Sequence, residues 1–128
     1  MTGSARTTYH FTVLRVVPHV HTAAFVNVGV VLHARSPGFL GIRALTDPDT
    51  LRRLAPDVDV PLLLRYIDAC YAICRGDENA GPIALLPPSE RFHWMSAPRS
   101  DVLQTAPVHE GVCTNPEAEL DSLFRAYV

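Results

Sequence analysis

Phe25-Val26-Asn27-Val28-Gly29-Val30-Val31-Leu32 has the composition of a β-strand, because half of its residues are valine and the pattern does not favour a helix. Side chains on a strand alternate between the two faces of a sheet. Strict alternation would place Val26, Val28, Val30 and Leu32 on one aliphatic face and Asn27 on the other. An amide in so apolar a strand indicates either an irregular, solvated edge or a closely packed group that the amide holds.

Two further strands are predicted around this one. They are Tyr9–Val17, which ends at Pro18, and Phe39–Leu45, and the central strand itself is predicted at Ala23–His33. The connections are too short for crossover helices, so the three strands should form an antiparallel meander. We expect the aliphatic face of this meander to be covered by helices.

Three helices carry clear start signals. Asp47-Pro48-Asp49 predicts a short helix that ends before Pro56, and Asn115-Pro116 predicts a C-terminal helix. Asp59 is predicted to cap a longer helix that ends at Gly76, and its apolar stripe is Leu63, Ile67, Cys70 and Cys74.

The remaining segments are predicted to be extended or irregular. Residues 77–90 are predicted as a loop, and strands are predicted at Arg91–Ser96, Val102–Ala106 and Val108–Cys113. The sequence therefore predicts an α+β fold with a mostly antiparallel sheet of about five to six strands and helices packed on one face. Residues 1–8 are expected to be a flexible N-terminal tail and residues 9–128 a single domain.

The composition restricts the function classes. The 128 residues are 48% hydrophobic and 19% charged, with a net charge of −2, which is typical of one globular domain and argues against general binding of duplex DNA. No apolar run is long enough to span a membrane, and no signal peptide is recognisable, so a cytoplasmic location is expected. All basic residues are arginine, which fits a GC-rich genome or anion binding.

No sequence motif of a catalytic, cofactor or metal site is present. Cys70 and Cys74 lie on the apolar stripe of the predicted helix and Cys113 is distant, so the cysteines are interpreted as core residues rather than metal ligands. We therefore expect no catalytic residues, no cofactor and no metal. The oligomeric state is left open.

A group of polar residues within otherwise apolar strands forms the candidate site. On the predicted strand, Arg91 and His93 share one face and Phe92 and Trp94 the other. Guanidinium, imidazole and amide groups on one surface would suit a phosphate, another anion or an acidic peptide. The alternatives are a solvated sheet face with ordinary ion pairs, or polar side chains bonded to the main chain. The candidates for ligand or partner binding are Asn27, Arg43, Arg91, His93, Arg99, Ser100, Gln104 and His109.

Several segments together resemble the DUF3037 family of small bacterial proteins of unknown function. The resemblance rests on FVNVGVVL, FLGIR, GPI, LPPSERFHW, APRS and PVHEG, and it extends from about Tyr9 to about Val128. The family has no established catalytic residues to carry over. The resemblance implies a gene neighbourhood with HipA-like kinases, and hence an accessory or antitoxin-like role.

Two function hypotheses follow. The first is a non-catalytic interaction or accessory protein whose partner is a HipA-like kinase or another protein of the same operon. The second is a small enzyme or ligand-binding domain that recognises a phosphate-bearing or nucleic-acid substrate through the Arg/His/Asn cluster. The second requires the eight candidates to converge on one cleft. Whether the chain is an enzyme is left open, with the balance against it.

Overall fold

The computed structural model describes residues 5–19, 24–97 and 102–128. Three antiparallel strands form the centre of the sheet, as the meander prediction requires: β1 (Thr7–His19), β2 (Ala24–Ala34) and β3 (Phe39–Ala44). β1 begins at Thr7, so the last two residues of the predicted tail belong to the sheet.

Two short strands occupy the other edge of β1. β4 (Leu103–Thr105) is antiparallel to residues 14–16 of β1, and β5 (His109–Cys113) is antiparallel to residues 7–11. The main-chain amide of Ala106 donates to the carbonyl of Val13 at 2.9 Å between the two strands. β4 and β5 therefore extend the sheet along the second edge of β1.

Of the four α-helices in the described part of the chain, three follow the predicted start signals. They are α1 (Pro48–Leu54), α2 (Val60–Arg75) and α4 (Pro116–Tyr127). The side chains of Asp47, Asp59 and Asn115 each accept a hydrogen bond from a main-chain amide of the first turn, which satisfies one otherwise unpaired donor per helix. α2 ends at Gly76, whose φ of 68° suits glycine.

The strand predicted at Arg91–Ser96 is wrong, because this segment lies in a helix, α3 (Pro88–Met95). Pro88 occupies the first turn, where its missing amide hydrogen leaves no bond unmade, and Glu90 follows at the positive end of the helix dipole. Phe92 and Met95, three residues apart, are both buried against the core. The loop before α3 contains two 3-10 turns, Glu78–Ala80 and Pro82–Leu85.

A β-bulge in β2 overturns the simple alternation expected for the valine strand. Leu14 pairs with Gly29 and Arg15 with Asn27, so Val28 is an extra residue without a partner on β1. Val28, at the bulge, faces the same side of the sheet as Val31. Val30 and Leu32 face the opposite side.

The sheet consequently has an apolar core on each face. The larger core packs α1, α2 and α3 against residues such as Leu14, Val28 and Val31. The smaller core packs α4 against Phe11 and other residues of β1 and β2. The α+β class and the antiparallel five-stranded sheet are confirmed. Helices α1 to α3 pack on one face of the sheet, as expected, whereas α4 packs on the other. The second face can bind a helix because the bulge gives each face of β2 its own apolar residues.

No helix within the described residues is both long enough and apolar enough to cross a membrane.

Candidate functional site

Two of the eight candidates hold α4 on the sheet. Arg43 on β3 forms an ion pair with Asp121 at 3.3 Å, and its guanidinium lies 5.7 Å from the centre of the Phe124 ring. Asn27 on β2 donates from Nδ2 to the carbonyl of Tyr127 at 3.0 Å. Both side chains therefore have internal partners on the same helix.

A third contact fixes the start of α4. The hydroxyl of Tyr9 donates to Oε2 of Glu119 at 2.6 Å. Burial, together with the Glu119 carboxylate, raises the pKa of the Tyr9 hydroxyl far above its usual value, so the hydroxyl keeps its proton. Polar contacts thus hold α4 to the sheet near its start, middle and end.

Arg91 completes the C-terminal end of α2. Its Nη1 donates to the carbonyls of Ile73 and Cys74 at 2.7 and 3.1 Å, and its Nε donates to the carbonyl of Leu86 at 2.9 Å. The last carbonyls of a helix have no partner within it. The guanidinium supplies a partner to the Cys74 carbonyl and a second donor to the Ile73 carbonyl, which also accepts from the amide of Gly76. It also places a positive charge at the negative end of the helix dipole.

The remaining candidates are dispersed. His93 is exposed on α3, on the opposite side of the sheet from Asn27. His109 on β5 lies 5.5 Å from the Phe11 ring, on the face that carries α4. Gln104 on β4 lies on that same face. Arg99 and Ser100 lie outside the described residues. The structure therefore brings Asn27, Arg43, Gln104 and His109 to one face and leaves Arg91 and His93 on the other.

A row of polar residues crosses three adjacent strands on the α4 face. Arg15 on β1 lies directly opposite Asn27 on β2 and directly opposite Gln104 on β4. Neighbouring strands are about 4.8 Å apart, so the three side chains are close neighbours. We call Asn27, Arg15 and Gln104 the polar row.

Arg15 is the most unusual member of the polar row. Its guanidinium carbon lies 4.4 Å from the centre of the Phe25 ring, a cation–π geometry. Its Nε is buried and has no hydrogen-bond partner among the described residues. Buried polar atoms usually have partners, so this donor distinguishes Arg15 from Arg43 and Arg91.

Exposed apolar side chains adjoin the polar row. Phe25 is 51% exposed, although it is the second residue of β2, the most apolar strand of the sheet, and Tyr127 is 44% exposed at the end of α4. The exposed ring of Phe25 is joined to the row through Arg15. The main-chain carbonyl of Tyr127 is joined to the row through Asn27, and the Tyr127 ring lies 5.7 Å from the Phe11 ring. We call this region the Arg15 surface, and it comprises Arg15, Phe25, Asn27, Gln104 and Tyr127.

Sequence reasoning identified Asn27 and Gln104 but missed Arg15. The signal was present, since Arg15 is the one charged residue in a run of β-branched and apolar residues from Phe11 to Val17. Its importance depends on the register with Gln104, which no local pattern gives.

The other ionisable groups of the core have structural roles. His33 is buried, its ring stacks on Phe92 at 5.6 Å, and burial lowers its pKa, with smaller contributions from His10 and Arg35. Burial raises the pKa of the Cys70 thiol to about 11 and that of Cys74 to about 12, so both are protonated at neutral pH.

Within residues 5–19, 24–97 and 102–128, no three His, Cys, Asp or Glu side chains are grouped so that they could hold a metal ion.

Comparison with protein families gives one result. The family model described as "Protein of unknown function (DUF3037)" matches residues 11–128, nearly the whole chain. The chain belongs to the DUF3037 family. The match runs from β1 to the residue after α4, so it includes both faces of the sheet and the whole Arg15 surface of this DUF3037 protein. Comparison with curated proteins found no match, and comparison with solved structures found none either.

Proposed function

We propose that this DUF3037 protein is a non-catalytic interaction protein that binds a partner protein through the Arg15 surface. The observation that carries the proposal is the contact between Arg15 and Phe25. The Arg15 guanidinium, whose buried Nε has no hydrogen-bond partner among the described residues, lies over an aromatic ring that is half exposed. Aromatic and arginine side chains are enriched among the residues that dominate protein–protein binding energy.

The composition of the Arg15 surface supports this choice over a catalytic site. Its exposed apolar side chains offer area that a partner can bury, and its polar members are one guanidinium and two amides. A catalytic site would need a nucleophile or a general base within hydrogen-bonding distance of a reacting group. The polar row contains neither.

The chemistry of the polar row indicates what the partner offers. A guanidinium between two amides suits a carboxylate, and the exposed ring of Phe25 suits an apolar side chain beside it. We therefore expect a partner segment with an Asp or Glu next to an apolar residue. The proposed partner is a HipA-like kinase encoded beside the gene, which the family resemblance implies, and in that case the protein acts as an accessory or antitoxin-like subunit.

The experiment is co-expression of the protein with the neighbouring kinase, followed by affinity purification and measurement of the dissociation constant. The unaltered pair should co-purify. Phe25→Ala and Arg15→Ala should each weaken binding at least about tenfold, the effect expected of a central interface residue.

The matched control is Leu85→Ala, which removes a side chain that is 66% exposed in the 3-10 turn Pro82–Leu85, away from the Arg15 surface. It should leave binding unchanged. Failure of the kinase and of every other operon product to co-purify would overturn the proposal. Equal loss of binding in Leu85→Ala and Phe25→Ala would show that the chosen surface is wrong.

A further inference from the structure

An apolar cavity lies on the opposite face of the sheet from the Arg15 surface. Its volume is about 350 Å³ and it is partly open to solvent. Leu14 on β1 and Leu103 on β4 form its floor. Side chains from α2 and from the C-terminal end of α3 form its walls, and among them are Tyr66, Ala69, Cys70 and Trp94.

The cavity is too large to be an ordinary packing defect. Protein interiors are packed as densely as organic crystals and contain few voids larger than a water molecule. An engineered apolar cavity of about 150 Å³ is already sufficient to bind benzene. A cavity of about 350 Å³ falls in the size range of natural small-molecule sites.

The walls of the cavity disfavour a charged ligand. None of the described residues that line the cavity carries a charged side chain. Cys70 is a neutral thiol, because burial raises its pKa to about 11. A charged ligand would lose its hydration here without gaining a counter-charge from these walls.

A small number of polar atoms can orient a ligand. The hydroxyl of Thr105 donates to the carbonyl of Ser96 at 2.9 Å, which leaves its oxygen able to accept a further bond. Tyr66 is 38% exposed beside the opening, and its hydroxyl can donate or accept. Apolar walls with a few polar groups are typical of sites for small organic ligands.

We propose that this cavity binds a neutral, largely apolar small molecule of about the size of a bicyclic aromatic ring system. This site is separate from the Arg15 surface, since Leu14 and Arg15 are consecutive on β1 and point to opposite faces. Binding of the small molecule does not require a partner protein.

The test uses a pair of fluorescent probes that differ in charge. N-phenyl-1-naphthylamine is neutral, and 1-anilinonaphthalene-8-sulfonate has a similar ring system with a sulfonate. The neutral probe should bind saturably at one site per chain. It should also quench the fluorescence of Trp94, the sole tryptophan of the sequence. The anionic probe should bind at least tenfold more weakly.

Two substitutions test whether the neutral probe binds in the cavity. Ala69→Phe adds a ring at the cavity wall and should weaken binding of the neutral probe at least tenfold. Ala126→Phe adds the same ring at an exposed position of α4 and should leave it unchanged. Circular dichroism and the urea unfolding midpoint of each variant would establish that the fold is retained.

Three results would contradict the proposed binding site. They are no saturable binding of the neutral probe, equal binding by Ala69→Phe and the unaltered protein, and equal affinity for the two probes.

Phe25→Ala distinguishes the cavity proposal from the proposal for the Arg15 surface. If it abolishes probe binding while Ala69→Phe does not, the probe occupies the Arg15 surface and the cavity proposal fails. Kinase binding by Ala69→Phe should be unchanged.

Discussion

The side-chain amide of Asn27 donates a 3.0 Å hydrogen bond to the carbonyl of Tyr127, a residue 100 positions later in the chain. The acceptor belongs to the last turn of α4, where carbonyls have no partner within the helix. The amide that made the valine strand unusual therefore fixes the end of the C-terminal helix. It also joins the main chain of Tyr127 to the polar row.

Replacement of Asn27 by alanine should loosen the end of α4. We expect Asn27→Ala to lower the free energy of unfolding by about 1 kcal/mol, the usual net value of one partly exposed hydrogen bond. Amide hydrogen exchange should accelerate in the last turn of α4 and remain unchanged in α2. Asn79→Ala, at an exposed position in the 3-10 turn, is the control and should change neither quantity. Unchanged exchange in α4 of Asn27→Ala would contradict the structural role.

Arg91 should contribute more to stability than Asn27, because its guanidinium donates to three main-chain carbonyls. We expect Arg91→Ala to lower the free energy of unfolding in urea by about 2–3 kcal/mol, as found for hydrogen bonds to charged groups. Arg91→Lys should recover only a small part, because an ammonium cannot reproduce the planar fork. His93→Ala, at an exposed position of the same helix, is the control. A loss as small as that of His93→Ala would show that Arg91 does not cap α2.

The helices that sequence reasoning found, and the one that it missed, differ in their signals. α2 begins at an Asp-capped turn and ends at a glycine, and these local features are sufficient to predict it. α3 has only eight residues, of which two are aromatic, and it is held in place by tertiary contacts such as the Arg91 bonds and the burial of Phe92. Local preference is a weak guide for so short a segment.

The faces of β2 and the Arg15 surface were harder to predict, for a related reason. The bulge at Val28 shifts later residues to the other face, and a run of valines looks the same with or without it. The polar row depends on the pairing of Arg15 with Gln104, which only the folded sheet provides. Sequence reasoning therefore found individual polar residues but not the row that the folded sheet forms from them.

Gly29 should be difficult to replace, because β3 approaches the bulge closely. A Cβ atom at this position would lie 2.9 Å from the Cβ of Ala44 and 2.9 Å from the carbonyl oxygen of Arg43. We expect Gly29→Ala to lower the free energy of unfolding by about 1–3 kcal/mol, the usual range for overpacking. Ala44→Gly removes one of the two collisions, so the double variant should lose less than the sum of the single variants. Strict additivity in this double-mutant cycle would contradict the proposed contact.

Stability should decrease as the pH falls below about 6.5, the pKa of an unperturbed histidine, because of His33. The folded protein disfavours protonation of this buried ring and so lowers its pKa, whereas the unfolded chain binds the proton near pH 6.5. The unfolded state therefore takes up more protons as the pH falls from 6.5 towards the folded pKa. Urea unfolding at pH 7.5 and 5.5 should show this loss in the unaltered protein and a smaller loss in His33→Gln. An equal loss in both proteins would assign the pH dependence to other groups.

The three cysteines should differ in reactivity, because their environments differ. At pH 8 a thiol with a pKa of about 11, such as Cys70, has only about a thousandth of its population as thiolate, and Cys74 has less. Cys113 is less deeply placed, although burial and the Glu119 carboxylate still raise its pKa. We expect the anionic reagent dithiobisnitrobenzoate to react first with Cys113 in the folded protein and with all three thiols in guanidinium chloride. Cys113→Ser should lack the fast phase, and Glu119→Gln should accelerate it, because loss of the carboxylate charge makes the thiolate easier to form. A fast phase that persists in Cys113→Ser would place a reactive thiol on α2, against the raised pKa values of Cys70 and Cys74.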